Sequence, residues 1–300
     1  MRTRRRPRTP GDNKTVISPD YRAGMACRSD TRIVLLADSH LSDRAPECVS
    51  NWRAAASAAS EIAPALTVHL GDISLDGDRH PDDLDHAADC VGRWPTRVAC
   101  LPGNHDMGTG SGEQPLDHAR LIRYLRRFGA DRWIEQHAAW TLVGLNAQLM
   151  GSGDPAESTQ RDWIERLADS LPQDARVALF LHRPLVRPPR ETGMATGRYV
   201  AADAARRLLE GPLRRSLRIV FSGHTHQALD FVAGGVRHVW VPSSGFVIDD
   251  SLQAPVGNKQ VGIGLLTLHD DEARYEPLLP RGMQEHELTR LACFSEFAAG

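Results

Sequence analysis

Five times along the chain, an apolar run of strand length stops at residues bearing carboxylate, amide or imidazole groups. Arg32-Ile33-Val34-Leu35-Leu36-Ala37 gives way to Asp38-Ser39-His40, and Ala65-Leu66-Thr67-Val68-His69-Leu70 to Gly71-Asp72. Thr96-Arg97-Val98-Ala99-Cys100 leads through Leu101-Pro102 into Gly103-Asn104-His105-Asp106. Arg176-Val177-Ala178-Leu179-Phe180-Leu181 ends in His182-Arg183-Pro184, and Leu217-Arg218-Ile219-Val220-Phe221 in Gly223-His224-Thr225-His226. Runs that are continuous rather than alternating suit strands covered on both faces. Helical stretches at residues 50–62, ahead of Pro64, and 82–91 separate the first three runs, and such alternation makes a parallel sheet. In an open α/β sheet, loops at the strands' carboxyl ends converge on one crevice, which is where ligands bind.

The rest of the chain is read in the same way. Leu116, Ala119, Ile122, Leu125 and Phe128 recur at helical spacing. Residues 140–145 read as a strand, and Ser158 or Thr159 caps a helix that buries Trp163, Ile164 and Leu167. A further helix is expected over residues 201–210, stopped by Gly211-Pro212. After His226 the helices cease. Residues 229–232, 236–241 and 261–268 are joined by glycine turns, which predicts an antiparallel meander forming a second sheet. Loops over residues 108–115, 187–198 and 245–257 are the expected walls of a site. The organisation expected is a disordered basic tail (1–30), one domain (31–280) and a C-terminal extension (281–300).

Charge and cysteine usage exclude several classes. Residues 1–30 hold eight Lys and Arg against three Asp, so a net charge of −2 leaves about −7 on the rest. An acidic body disfavours a nucleic-acid groove as the main function. No apolar run approaches the ~20 residues that span a bilayer, and no apolar segment follows the N-terminal arginines, so no membrane partner is expected. Five scattered cysteines without a Cys-x-x-Cys pair suit reduced thiols and a cytoplasmic location.

The strand ends together supply Asp38, His40, Asp72, Asn104, His182, His224 and His226, all oxygen or imidazole donors. Mixed N/O sets without thiolate suit Mn, Fe, Zn, Ni or Co. Seven donors exceed the needs of one ion, which implies two ions and a bridging group. In Asp-x-His and His-x-His, residues i and i+2 of an extended segment face the same way, so each stretch is expected to offer two donors.

These five blocks resemble the signature of the calcineurin-like metallophosphoesterases, from about residue 32 to residue 244. The resemblance implies a four-layer α/β/β/α sandwich of two packed sheets with the metals at one edge. It also implies one ion on Asp38, His40, Asp72 and His226, a second on Asp72, Asn104, His182 and His224, and Asp72 as the bridge. His105 would protonate the leaving oxygen, with Asp106 orienting its ring, and Asn104, His105 and Arg183 would contact the phosphate of a small phosphoester. Purple acid phosphatases place a tyrosine where Leu75 stands, and protein phosphatases have an acid and an arginine where this chain has Leu75 and Asp76. Gly-Asn-His-Asp and the Gln160 to Trp163 spacing are similar to bacterial class III cyclic-nucleotide phosphodiesterase-like enzymes, although Arg183 replaces the second histidine of their His-His-Pro. The activity implied is hydrolysis of a cyclic nucleotide or small phosphodiester. A phosphomonoesterase or nucleotide pyrophosphatase of the same fold is the alternative, ahead of a nuclease or a non-catalytic scaffold. Composition carries no information on oligomeric state.

Overall fold

The computed structural model describes residues 30–108, 116–137, 139–191 and 197–293. The expected basic tail, most of the 108–115 loop and the middle of the 187–198 loop lie outside them. In chain order come β1 (Thr31–Leu36), α1 (Pro46–Ile62), β2 (Leu66–His69), α2 (Pro81–Gly92), β3 (Val98–Cys100), the single turn α3 (Asn104–Met107) and α4 (His118–Phe128). The second half contains β4 (Trp133–His137), β5 (Trp140–Gly144), α5 (Pro155–Ser170), β6 (Arg176–Leu181) and α6 (Ala202–Leu209). It ends with β7 (Leu217–Ser222), β8 (Leu229–Ala233), β9 (Val236–Trp240), β10 (Ile263–Leu268) and β11 (Ala273–Leu278).

Two sheets result, with strand orders β11-β10-β1-β2-β3 and β4-β5-β6-β7-β9-β8. The apolar runs lack alternation because both faces of each strand are buried. On β1, Ile33 and Leu35 face the opposing sheet while Val34 and Leu36 face α1, α2 and α4. On β6, Ala178 and Phe180 point between the sheets while Val177, Leu179 and Leu181 meet α5 and α6. Helices, sheet, sheet and helices therefore make the four layers that the resemblance implied. No helix among the described residues is long and apolar enough to cross a membrane.

The C-terminal meander divides between the sheets. β8 and β9 form an antiparallel hairpin, but β9 also runs parallel to β7 and extends the second sheet. β10 instead pairs antiparallel with β1 and places that strand inside the first sheet. Glycine turns specify which strands are neighbours along the chain, but not which sheet receives them. Helix starts also shift. α5 begins at Pro155 behind an Asp154 cap, whose carboxylate accepts from Ala156 N, and not at Ser158 or Thr159. In α4 the fully buried side chain is Tyr124, with Leu125 and Phe128 only partly covered, so the apolar periodicity missed the residue that anchors the helix.

Phe180 and Phe221 stack between the sheets with ring centroids 5.1 Å apart at 12°. Truncating such a ring leaves a cavity that the flanking strands cannot close. Phe180→Ala is expected to lower stability by about 3–5 kcal/mol, read as a reduced urea midpoint with an unchanged m-value.

Candidate metal centre

β1, β2 and β3 are adjacent parallel strands, as are β6 and β7, so their carboxyl ends bring the five loops together. Asp38, His40, Asp72, Asn104, His182 and His226 are buried there, and His224 is partly so. Ligand-capable atoms lie within 4.8 Å of one another in three groups: Asp38, His40 and His226; Asp72, His182 and His224; and His40, Asp72 and His105. The first is one expected ion set without Asp72, and the second is the other without Asn104.

The backbone differs from the extended geometry expected of Asp-x-His and His-x-His. Asp38, His40, Asp72, His224 and His226 have φ of +52°, +46°, +51°, +67° and +51°. A side-chain-bearing residue in this left-handed region costs about 1–2 kcal/mol. Strain of this kind collects where surrounding structure over-determines the backbone. The donors converge because each loop curls at the strand end, not because alternate residues share a face. Interloop hydrogen bonds hold the curls: Asp38 N to Gly71 O at 3.0 Å, His40 N to Asp72 O at 3.1 Å and Gly223 N to His182 O at 3.0 Å. Gly103 is required by close approach, since a Cβ there would lie 2.0 Å from Asp72 Oδ1.

Backbone carbonyls fix which ring nitrogens face the centre. His182 Nδ1 donates to Leu70 O at 2.9 Å and His226 Nδ1 to Phe246 O at 2.8 Å, which turns both Nε2 atoms inward. His224 Nε2 donates to Gly197 O at 3.4 Å and presents Nδ1. His182 Nε2 then stands 3.1 Å from His224 Nδ1, 3.1 Å from Asn104 Oδ1 and 3.2 Å from Asp72 Oδ2. His226 Nε2 stands 3.2 Å from His40 Nε2 and 3.8 Å from Asp38 Oδ1. With neutral rings, the His182 set is a cluster of acceptors with no donor among them. Such a cluster is stable around a cation, and an imidazole and carboxylate set fits first-row transition metals.

Protonation follows the same electrostatics. Burial lowers His182, but Asp72, Asp38 and Asp106 outweigh it and push the ring up to about 9, so a proton is drawn to where positive charge is wanted. Burial holds His40 and His224 well below the usual range and brings His226 down to about 4. Neutral imidazole is the form that ligates. Burial raises Asp72, but His182 and His105 outweigh it and keep the carboxylate ionised.

Other expected site residues behave differently. Both oxygens of Asp106 are engaged away from the His105 ring. They accept from Ile73 N (3.2 Å), Ser74 N (2.9 Å), Ser74 Oγ (2.7 Å) and Gly103 N (2.9 Å), tying the Asp72 loop to the Asn104 turn. Asp106 is thus a buried clamp, in place of the ring-orienting role expected. Asp76 is the carboxylate facing His105, with Oδ1 3.9 Å from Nδ1. Asn104 Oδ1 lies against His182 Nε2. Arg183 directs Nη2 at the carbonyls of Gly197 (2.6 Å) and Tyr199 (2.7 Å), and not at the donor cluster. The sequence reading also missed Phe246, buried against the rings of His40 and His226 at centroid distances of 4.8 and 4.7 Å. Only its Ser-Ser-Gly-Phe setting after a strand hinted at it. His69 accepts from Gly71 N and reaches Ser39 Oγ beneath the loops.

Beside the site, Asp78 is buried with its carboxyl group against that of Asp76, and Arg120 Nη2 stands 3.9 Å away. Burial first and the Asp76 carboxylate second raise Asp78 to about 8. The folded chain therefore keeps a proton that the unfolded chain gives up near 3.8, and stability from this residue falls as pH rises between those values. Asp78→Asn is expected to be more stable than wild type at pH 8, with the difference shrinking toward pH 4, measured by urea midpoints. A difference independent of pH would contradict the assignment.

Comparison with known proteins agrees with this geometry. A search of curated protein sequences returns no match. A dimetal phosphatase from Danio rerio superposes with a TM-score of 0.59 at 15% identity, over 85% of this chain and 97% of that one. A purple acid phosphatase from yellow lupin seeds gives 0.60 at 14% identity, over 84% of this chain, which spans only 52% of that protein's length. GAP50, the anchor in the inner membrane complex of Plasmodium, gives 0.59 at 11% identity, over 85% and 86%. At such identities the likeness is one of fold. Residues 31–228, which include all seven donors, match the profile of the calcineurin-like phosphoesterases. The chain belongs to the calcineurin-like phosphoesterase family and is a metal-dependent phosphoester hydrolase.

Proposed function

We propose that the chain is a phosphodiesterase acting on a cyclic nucleotide or another small phosphodiester, with two ions shared across Asp72. The observation that carries the ligand assignment is the cluster of Asn104 Oδ1, His224 Nδ1 and Asp72 Oδ2 around His182 Nε2, at 3.1–3.2 Å. Asp38, His40 and His226 complete one set with Asp72, and Asn104, His182 and His224 the other. When bound, such a pair supplies Lewis acidity at the phosphoryl group and a nucleophilic water at neutral pH.

The remaining roles belong to side chains. The His105 ring lies 5.0 Å from that of His40, at the open side of the cluster, and its backbone N–H donates to Asp72 Oδ1. From there it protonates the departing alkoxide, with Asp76 opposite Nδ1 to orient the ring. Asp76 also favours a diester. It occupies the place where protein phosphatases put an arginine for the dianionic monoester, and an acid at that point repels the second negative charge. The thiols of Cys48, Cys90, Cys100 and Cys293 are all buried and unpaired by disulfides, which supports a reducing, cytoplasmic setting.

Asp72→Ala is expected to lose both ions, whereas His105→Ala keeps them and loses roughly 10²–10⁴ in turnover. That loss should shrink for nitrophenyl esters, whose leaving groups need no acid. Equal losses for good and poor leaving groups would remove the acid role.

Substrate class is tested with manganese-loaded enzyme by kcat/KM on bis-nitrophenyl phosphate, nitrophenyl phosphate, cyclic AMP and a nucleotide diphosphate. The diesters are expected to lead. A monoester ahead of every diester by about tenfold, or ~1.4 kcal/mol of transition-state binding, would make the chain a phosphatase.

A further inference from the structure

Arg183 is the only Arg or Lys of the five signature blocks, and its Nη2 donates to two backbone carbonyls. Those carbonyls, of Gly197 and Tyr199, belong to a short strap running past the Asp72, His182 and His224 end of the site. The Gly197 carbonyl is also the acceptor for His224 Nε2. The strap is secured on its other side. Buried Glu191 takes Arg198 Nη1 at 2.5 Å and Tyr199 Oη, and Val200 N donates to Pro184 O at 3.0 Å.

The chemistry of His224 gives this arrangement a purpose. Neutral imidazole carries one N–H. With the proton on Nδ1, His224 would donate it to His182 Nε2, 3.1 Å away, and both rings would lose their inward lone pairs to each other. With the proton on Nε2, donation to Gly197 O leaves Nδ1 free to ligate. Ligand histidines depend on an acceptor of this kind behind the ring, and its loss typically costs 10–100-fold in metal affinity. A carbonyl in a loop is a poor fixed acceptor unless the loop itself is held. Arg183 holds it.

We propose that Arg183 is a positioning residue for the Asp72, Asn104, His182 and His224 ion, acting through the Gly197 carbonyl on His224, and not a phosphate ligand. The inference rests on the ligand assignment proposed above. Charge makes its test sharp. Arg183 is a cation one carbonyl away from the His224 ring, since Gly197 O accepts from both side chains. Through-space electrostatics alone would therefore make an uncharged replacement bind the second ion more tightly, whereas loss of the strap makes binding weaker. Gly197 offers an independent handle. Its φ is +81° and a Cβ would meet nothing within 4 Å, so Gly197→Ala disturbs the backbone turn without creating a clash.

The experiment is calorimetric titration of the metal-free full chain with Zn²⁺, for wild type, Arg183→Met, Arg183→Lys and Gly197→Ala. Thermal melts confirm that each variant folds. Wild type is expected to bind two ions. Arg183→Met and Gly197→Ala should weaken one ion by about 10–100-fold and leave the other unchanged, with Arg183→Lys in between. KM for bis-nitrophenyl phosphate should stay near the wild-type value at saturating metal. Unchanged or tighter binding of both ions in Arg183→Met and Gly197→Ala overturns the inference alone. A raised KM with metal binding intact overturns it in favour of a phosphate contact. A wild type that binds fewer than two ions overturns the dinuclear reading beneath it.

Discussion

Imidazole, amide and carboxylate acceptors crowded to 3.1–3.2 Å around His182 Nε2 repel one another unless positive charge lies between them. The remainder of the molecule serves to withstand that repulsion. Five neighbouring residues accept left-handed backbone angles to aim their donors, at roughly 5–10 kcal/mol together. That sum is as large as the whole net stability of an ordinary domain. A loop standing alone would relax. Here each curl is bonded to the next, and the two sheets behind them are filled by interlocking aromatic and aliphatic side chains.

Asp106 shows how the load is distributed. A buried carboxylate accepting four hydrogen bonds from two loops costs desolvation, which appears as its raised pKa. In return it fixes the Asp72 loop against the turn that carries Asn104 and His105. The carbonyls of Leu70 and Phe246 do similar work by a cheaper route, each orienting a histidine ring through a group that the backbone already provides. Metal chemistry in this fold thus depends on main-chain atoms as much as on the donors that name the motif.

That dependence explains which features could be read from the sequence. The five loops, their order and the gathering of the seven side chains at one sheet edge were legible, because apolar runs locate strands and strand ends locate the polar residues. The four layers followed from the family resemblance. The roles of Asp106, Arg183 and Phe246 were not legible. Asp106 sits beside His105 in sequence, but the helical turn α3 points the two side chains different ways. Arg183 is adjacent to His182, yet its partners are carbonyls about fifteen residues on, which leave no mark in residue identity. The split of the last strands between sheets was hidden for a comparable reason. Hairpin signals are local, whereas the β1–β10 pairing joins Thr31 to Leu268.

That pairing also bears on how the molecule is made. Synthesis of His226 completes the set of seven donors, but β1, which leads into Asp38 and His40, still has one side unbonded until residues 263–268 emerge. Contacts so distant in sequence form slowly, because the loop between them must close first. A chain that lacks residues 263–268 would therefore carry the seven side chains without the strand that backs β1. An ordered β1, and with it the loop carrying Asp38 and His40, thus depends on a strand more than two hundred residues further along the chain.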